Sequence, residues 1–311
     1  MIFAIIDLGT NTFNLLIAES LPNNTFRKIF NTKIAVKLGE KSINSGYIDD
    51  VPFQRGLMAL EKYQQYLLYH NVTKIYAYGT SAIRSASNGK EFVEQAQKIV
   101  GIPINVIDGD EEADLIYYGN RMAVNMTDDV SLIMDIGGGS TEFILADKNS
   151  ILWKQSFLLG AARLLSKFDP SDPIKENEVV SFNRYLKEQL QPLFEAVKIY
   201  KPIELIGSSG AFDSVVDMIA GEFRTPEMSE DINEYLINLD YYKTISNKII
   251  ASTIEERYHM KGLISMRVDM MVISILLIDF ALNEFNLNKM RVSSFSLKEG
   301  VIFKKMGLSF S

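Results

Sequence analysis

The chain has 311 residues, 47% of them hydrophobic and 23% charged, with a net charge of −7, no Cys and two His. That length exceeds what one core usually serves, so two domains of roughly 120–190 residues are expected in an ordinarily globular protein. Disulfides and thiolate metal sites are excluded, His70 and His259 lack ligand spacing, and an acidic chain without clustered Lys and Arg argues against binding nucleic acid or an anionic membrane surface.

Met1 leads straight into a strand-like run with no basic segment or small-residue cleavage site, so a cytoplasmic protein is expected. Apolar periodicity predicts a meander of strands at 2–6, 13–19 and 26–37, then a helix over Phe53–Tyr69 with Leu57, Met58, Leu60, Leu67 and Leu68 at helical spacing. Strand 74–78, helix 87–100, strand 104–107 and a helix beginning near Glu111 complete the first half. The second half repeats this plan with strands 131–135, 142–147 and 151–158, helices near 160–168 and 175–199, strand 203–206 and helix 210–220. Longer helices then run to about 286, followed by a last strand Met290–Phe295 and a closing helix Leu297–Lys305. Met270–Ile278, the longest uncharged apolar run, is too short to span a bilayer and reads as core, as does Trp153. The expected class is α/β: duplicated domains over 1–120 and 121–311, each a mixed sheet flanked by helices, with the closing helix 297–306 packing back on the first domain and a cleft between the two.

Asp135-Ile136-Gly137-Gly138-Gly139-Ser140-Thr141-Glu142, set between apolar runs, reads as a strand, a glycine turn and a returning strand. Glycines let backbone N–H groups approach a phosphate where a Cβ would collide, and Asp135 and Glu142 offer hard oxygen ligands for Mg²⁺. The N-terminus carries the same design in Asp7-Leu8-Gly9-Thr10-Asn11-Thr12. Gly79-Thr80-Ser81-Ala82 and Gly207-Ser208-Ser209-Gly210 form a second matching pair, and Asp7 to Asp135 and Gly79 to Gly207 are both separated by 128 positions. Equal spacing at two places implies duplication, with four small-residue loops pointing into one cleft that would hold a phosphorylated substrate.

In wording the chain resembles the exopolyphosphatase/guanosine pentaphosphate phosphohydrolase (Ppx/GppA) family of the actin/Hsp70/sugar-kinase superfold. The resemblance rests on seven ordered segments: Ile6–Phe13, Gly79–Arg84, Gly109–Ala113, Asp135–Glu142, Leu159–Leu164, Gly207–Gly210 and Leu297–Gly300. Thr10-Asn11-Thr12 replaces the family's usual Ser-Asn-Ser, keeping the hydroxyls, and Lys37 stands where relatives often have Arg. The resemblance implies a Mg²⁺-dependent hydrolase releasing terminal phosphate from polyphosphate, guanosine pentaphosphate or both. Glu112 would be the general base on water and Arg84 a phosphate-binding catalytic cation, while Glu111 is left as a helix-start residue. Gly9–Thr12, Thr80, Ser81, Gly137–Thr141 and Gly207–Gly210 would cradle phosphates, Lys37, Arg163 and Arg267 would meet the remaining charge, and Asp7, Asp135 and Glu142 would hold the metal. An actin-fold kinase and a nonhydrolytic guanosine polyphosphate sensor are the alternatives. Longer relatives add a His-rich HD-like domain and a further C-terminal domain; the motifs here end at Gly300, so short substrates are expected. Relatives of this fold often dimerise, which leaves the oligomeric state open.

Overall fold

The computed structural model describes residues 1–22, 25–229 and 231–308. In chain order the first half contains β1 (Ile2–Leu8), β2 (Thr12–Ser20), β3 (Phe26–Ala35), α1 (Asp50–Tyr69), β4 (Lys74–Gly79), α2 (Ser81–Ser85), α3 (Gly89–Val100), β5 (Ile104–Val106) and α4 (Gly109–Ala123). The second half begins with β6 (Ser131–Ile136), β7 (Thr141–Ala146), β8 (Ile151–Phe157), α5 (Ala161–Phe168), α6 (Glu176–Gln189), α7 (Gln191–Tyr200), β9 (Glu204–Ser208) and α8 (Gly210–Phe223). It ends with β10 (Glu234–Ile237), α9 (Leu239–Ile250), α10 (Ile254–Tyr258), a 3-10 turn (Ser265–Met270), α11 (Met271–Glu284), β11 (Met290–Ser293) and α12 (Leu297–Met306).

Three differences from the sequence expectation have local causes. The helix expected over 175–199 breaks at Leu190, because Pro192 opens α7 and cannot continue the α6 hydrogen-bond ladder. The expected helical stretch after 220 contains β10, a strand of four residues that pairs antiparallel with β11 and is too short to show alternation. Ser81–Ser85 forms a single-turn helix that the small residues after Gly79 had concealed.

The strands form two mixed sheets, in the orders β3-β2-β1-β4-β5 and β10-β11-β9-β6-β7-β8. Alternation along each strand assigns its two faces. Ala4, Ile6 and Leu8 of β1 join Leu57, Leu60 and Phe92 in a core under α1 and α3, while Phe3 and Ile5 face the other way. In β6, Leu132 and Met134 join the large outer core with α11, and Ile133 faces inward. The inward faces of both sheets meet on one shared core with Leu115 and Ile116 of α4 and Val301 and Ile302 of α12. Period-two parity therefore puts Asp7, Asp135 and Glu142 on the inward faces, beside α4.

The duplicated hairpins share one register: Asp7 pairs with Asn14 and Asp135 with Glu142. The parallel neighbours do not. Gly79 lies beside Leu8, whereas Gly207 lies beside Met134, two residues earlier in its hairpin. A two-residue slip keeps every side chain on its face, so the core tolerates it. Its effect is to bring Ser208 level with Asp135.

α4 and α12 cross at small residues. A Cβ on Gly300 would collide with the Leu115 carbonyl, and one on Gly119 with the Ser296 carbonyl. Gly300→Ala is thus expected to cost about 1–3 kcal/mol or more, as overpacking does, in a urea titration. Gly101→Ala is the control, since no atom lies within 4 Å of a Cβ there and only its positive φ is strained.

Candidate active site

A cleft of about 460 Å³ opens between the sheets. Its walls include Asp7, the Gly9–Thr12 turn, Thr80, Ser81, Glu112, Asp135, the Gly137–Ser140 turn and Glu142. The two hairpin turns touch: a Cβ on Gly138 would meet Asn11 at 3.1 Å, and one on Gly139 would meet Thr10 Oγ1 at 2.5 Å. Glycine is required here for turn-to-turn approach as much as for any ligand. Ser81 Oγ is buried on this wall without a hydrogen-bond partner among the described residues, which leaves it open to a ligand oxygen.

Glu112 sits in the first turn of α4, whose start is capped by Asp108 accepting from the Glu111 N–H at 2.8 Å. Adjacent positions on a helix diverge by about 100°, which gives the two glutamates different surroundings. Glu111 points outward to Lys304 at 3.2 Å, while Glu112 is buried on the cleft wall and accepts from Arg84 Nη1 at 2.9 Å. Burial, then the Glu142 charge, pushes the Glu112 carboxyl well above the usual range, against the opposing pull of Arg84. Burial and then Asp135 push Glu142 up to about 7. Burial also raises Asp7 to about 6, although Lys298 and a 2.9 Å hydrogen bond from Asn14 favour its charged form.

Several residues expected to meet substrate have partners within the protein. Lys37 is spent on Asp269 at 2.6 Å, and Arg163 donates to the carbonyls of Gly139 and Ile43, both at 2.9 Å. Both tie the first half to the second and neither is among the described residues lining the cleft. Arg84 is also absent from that lining; it donates to Glu112 and to the Ile107 carbonyl at 2.8 Å. Thr141 Oγ1 is turned to the Leu159 carbonyl at 2.9 Å, Gly207 packs under Phe212, and Ser208 donates to Asp135. Arg267 does line the cleft, held by Ser214 at 2.9 Å and Asp213 at 3.3 Å. Asp7, Asp135 and Glu142 all line it, yet no group of three or more such side chains close enough to hold a metal occurs among the described residues.

The cleft has cations that the sequence reading missed. Lys28 lies 3.3 Å from Glu299, whereas Lys33 and Lys298 have no ion pair among the described residues. Lys33 had a legible signal: Asp7, Asn14 and Lys33 are cross-strand neighbours, so strand parity puts all three on one face. Lys298 lies inside one of the motifs that carry the resemblance.

The Ppx/GppA phosphatase family model matches residues 16–309. The chain belongs to this family. A crystallised exopolyphosphatase from Cytophaga hutchinsonii is 41% identical, with 99% of each chain covered and a TM-score of 0.96. A Haemophilus influenzae protein provisionally named an exopolyphosphatase is 29% identical over 311 residues, covering 96% of this chain and 90% of its own. A Ppx/GppA family member from Aquifex aeolicus, 23% identical with a TM-score of 0.80 and covering 100% of this chain and 99% of its own, shares the fold. The two hairpin turns and the two sheets of this chain are therefore those of a Ppx/GppA protein. No helix among the described residues is long and apolar enough to cross a membrane.

The raised carboxyls set a stability trend. A carboxyl whose folded pKa lies above its unfolded value stabilises the fold below the ordinary carboxylate range, and that contribution is lost as pH rises through about 7 for Glu142. Glu142→Gln should then melt like the parent protein at pH 4 and above it at pH 8 in metal-free buffer, as read by calorimetry. A variant less stable at both pH values would contradict the electrostatic account.

Proposed function

We propose that this chain is a phosphoanhydride hydrolase that releases terminal phosphate from short polyphosphate, from guanosine pentaphosphate, or from both, with water as acceptor. The observation that carries this reading is Glu112: a buried carboxylate hydrogen-bonded to Arg84, on the wall of a cleft that the glycine turns also line, with its pKa raised by burial. The exopolyphosphatase relatives support the substrate class.

In this reading Glu112 takes the proton of the attacking water. Arg84 fixes the Glu112 carboxylate and favours its ionised form, so it acts on the base in addition to any contact with the transferred group. The turns at Gly9–Thr12 and Gly137–Ser140, with Thr80 and Ser81, orient the phosphates through backbone N–H and hydroxyl donors. The hard-oxygen donors fit Mg²⁺: Asp135 and Glu142 on one sheet, with Asp7 on the other, repel one another without a cation, and Mg²⁺ needs only one or two direct carboxylates. Bound there, Mg²⁺ would shield charge on the transferred phosphoryl group.

Phosphate release from long polyphosphate, short polyphosphate and guanosine pentaphosphate, each with and without Mg²⁺, tests the reading. Binding without release would favour the sensor alternative, and acceptor-dependent ADP formation a kinase. Within the hydrolase reading, Glu112→Gln should lose about 10²–10⁴-fold in kcat with the fold intact, and Glu111→Gln far less. Because Arg84 lowers the Glu112 pKa, Arg84→Met is expected to move the acid limb of the pH–rate profile to higher pH; an unmoved limb would refute the pairing as a functional one.

Lys33 and Lys298, the cleft cations without a counterion among the described residues, can grip only a short stretch of polyanion. Lys33→Met and Lys298→Met should raise KM several-fold and flatten its salt dependence. Long polyphosphate sampled during partial digestion should appear as a smoothly shortening population. Intact long chains beside free phosphate would mean processive attack and rule out this substrate assignment.

A further inference from the structure

Asp135 is held unlike any other carboxylate of the cleft. Its Oδ2 accepts from three hydroxyls: Ser208 Oγ at 2.7 Å, Ser209 Oγ at 2.6 Å and Ser296 Oγ at 2.6 Å. They come from three places in the fold: the end of β9, the residue before α8 and the residue before α12. Asp135 Oδ1 has no donor among the described residues, and the residue lines the cleft. The carboxylate is therefore gripped on one oxygen and open on the other.

Ser209 carries the sharper signal. Its backbone has φ 69° and ψ −178°, a region that is essentially reserved for glycine. A glycine would adopt it freely, yet the chain has a residue with a Cβ there. What the side chain gains is the Oδ2 contact, together with a 3.2 Å contact to Ser296 Oγ. Ser296 is fixed in turn by Glu299, whose carboxylate accepts from the Ser296 N–H at 3.1 Å and pairs with Lys28 at 3.3 Å. The third hydroxyl, Ser208, reaches Asp135 only because β9 is slipped by two residues relative to β4.

We propose that Ser208, Ser209 and Ser296 are positioning residues that clamp Asp135 Oδ2 so that Oδ1 is presented to a divalent cation in the cleft, and that Ser209 keeps a glycine-type backbone for this purpose. The proposal rests on the reading of Asp135 as a metal carboxylate. It differs from the assignment of the Gly207–Gly210 loop to phosphate binding: two serine side chains of that loop act on Asp135, not on substrate. Partners of this kind typically set metal affinity by 10–100-fold.

The experiment is calorimetric titration of the substrate-free full chain with MgCl₂, alongside thermal unfolding, for the parent protein and for Ser209→Ala, Ser209→Gly, Ser296→Ala and Ser296→Thr. Ser209→Ala, Ser209→Gly and Ser296→Ala are expected to bind Mg²⁺ about 10–100-fold more weakly. Ser296→Thr, which keeps the hydroxyl, should bind as the parent does. Ser209→Gly should melt above Ser209→Ala, since both lose the hydroxyl and only glycine relieves the backbone. If Ser209→Gly binds Mg²⁺ like the parent, the serine is no more than a loop residue and the proposal falls. If the parent itself binds no Mg²⁺, the metal reading falls with it, while phosphate release measured in the same buffer decides separately whether the chain hydrolyses phosphoanhydrides.

Discussion

Placing like charges in a low-dielectric cleft is unfavourable unless something compensates them, and Asp7, Glu112, Asp135 and Glu142 are four such charges on facing walls. Each is answered differently. Glu112 has the Arg84 ion pair, Glu142 has Ser156 Oγ at 2.6 Å, Asp7 has Asn14 and the field of Lys298, and Asp135 has three serine hydroxyls. The compensation is incomplete, because Asp7, Glu112 and Glu142 still favour their protonated forms more than free carboxyls do. A cleft in that condition is suited to a cation arriving with a polyanion. The same burial that disfavours the ionised carboxylates strengthens every interaction a ligand would make there.

Keeping these groups in register requires the two sheets to be rigidly related. The crossing of α4 and α12 in the shared core does most of this, since it carries Glu112 at one end and the Ser296 hydroxyl near the other. Backbone contact at Gly119 and Gly300 brings the two helices closer than side chains would allow. Lys37 to Asp269 and Arg163 to Gly139 and Ile43 add polar ties at the rim. Buried apolar contact and rim charge thus divide the work, the first fixing distance and the second fixing orientation.

The duplicated hairpins show how a repeated sequence diverges in use. Asn14 and Glu142 occupy matching positions, opposite Asp7 and Asp135. An amide donates to its carboxylate and quiets it; a second carboxylate repels and raises the charge density. One hairpin carries a single carboxylate held by an amide and the other a carboxylate pair, with the backbone register of the hairpin unchanged.

The amino-acid sequence determined the features that depend on neighbours along the chain. Strand alternation put Asp7, Asp135 and Glu142 on inward faces, glycines marked the turns, and the equal spacing announced two halves of one plan. Cation assignments were less legible, because a long side chain chooses among partners brought together by the whole fold: Lys37 finds Asp269 from 232 residues away, and Arg163 is consumed by carbonyls. Lys33 was legible through the parity of the β1-β2-β3 meander, whereas Lys298 faces the cleft through the docking of α12, which no local pattern encodes. The slip of β9 and the glycine-type backbone of Ser209 were likewise decided only in three dimensions. Period-two and period-3.6 patterns specify which face a residue takes, while packing between distant segments specifies what that face meets.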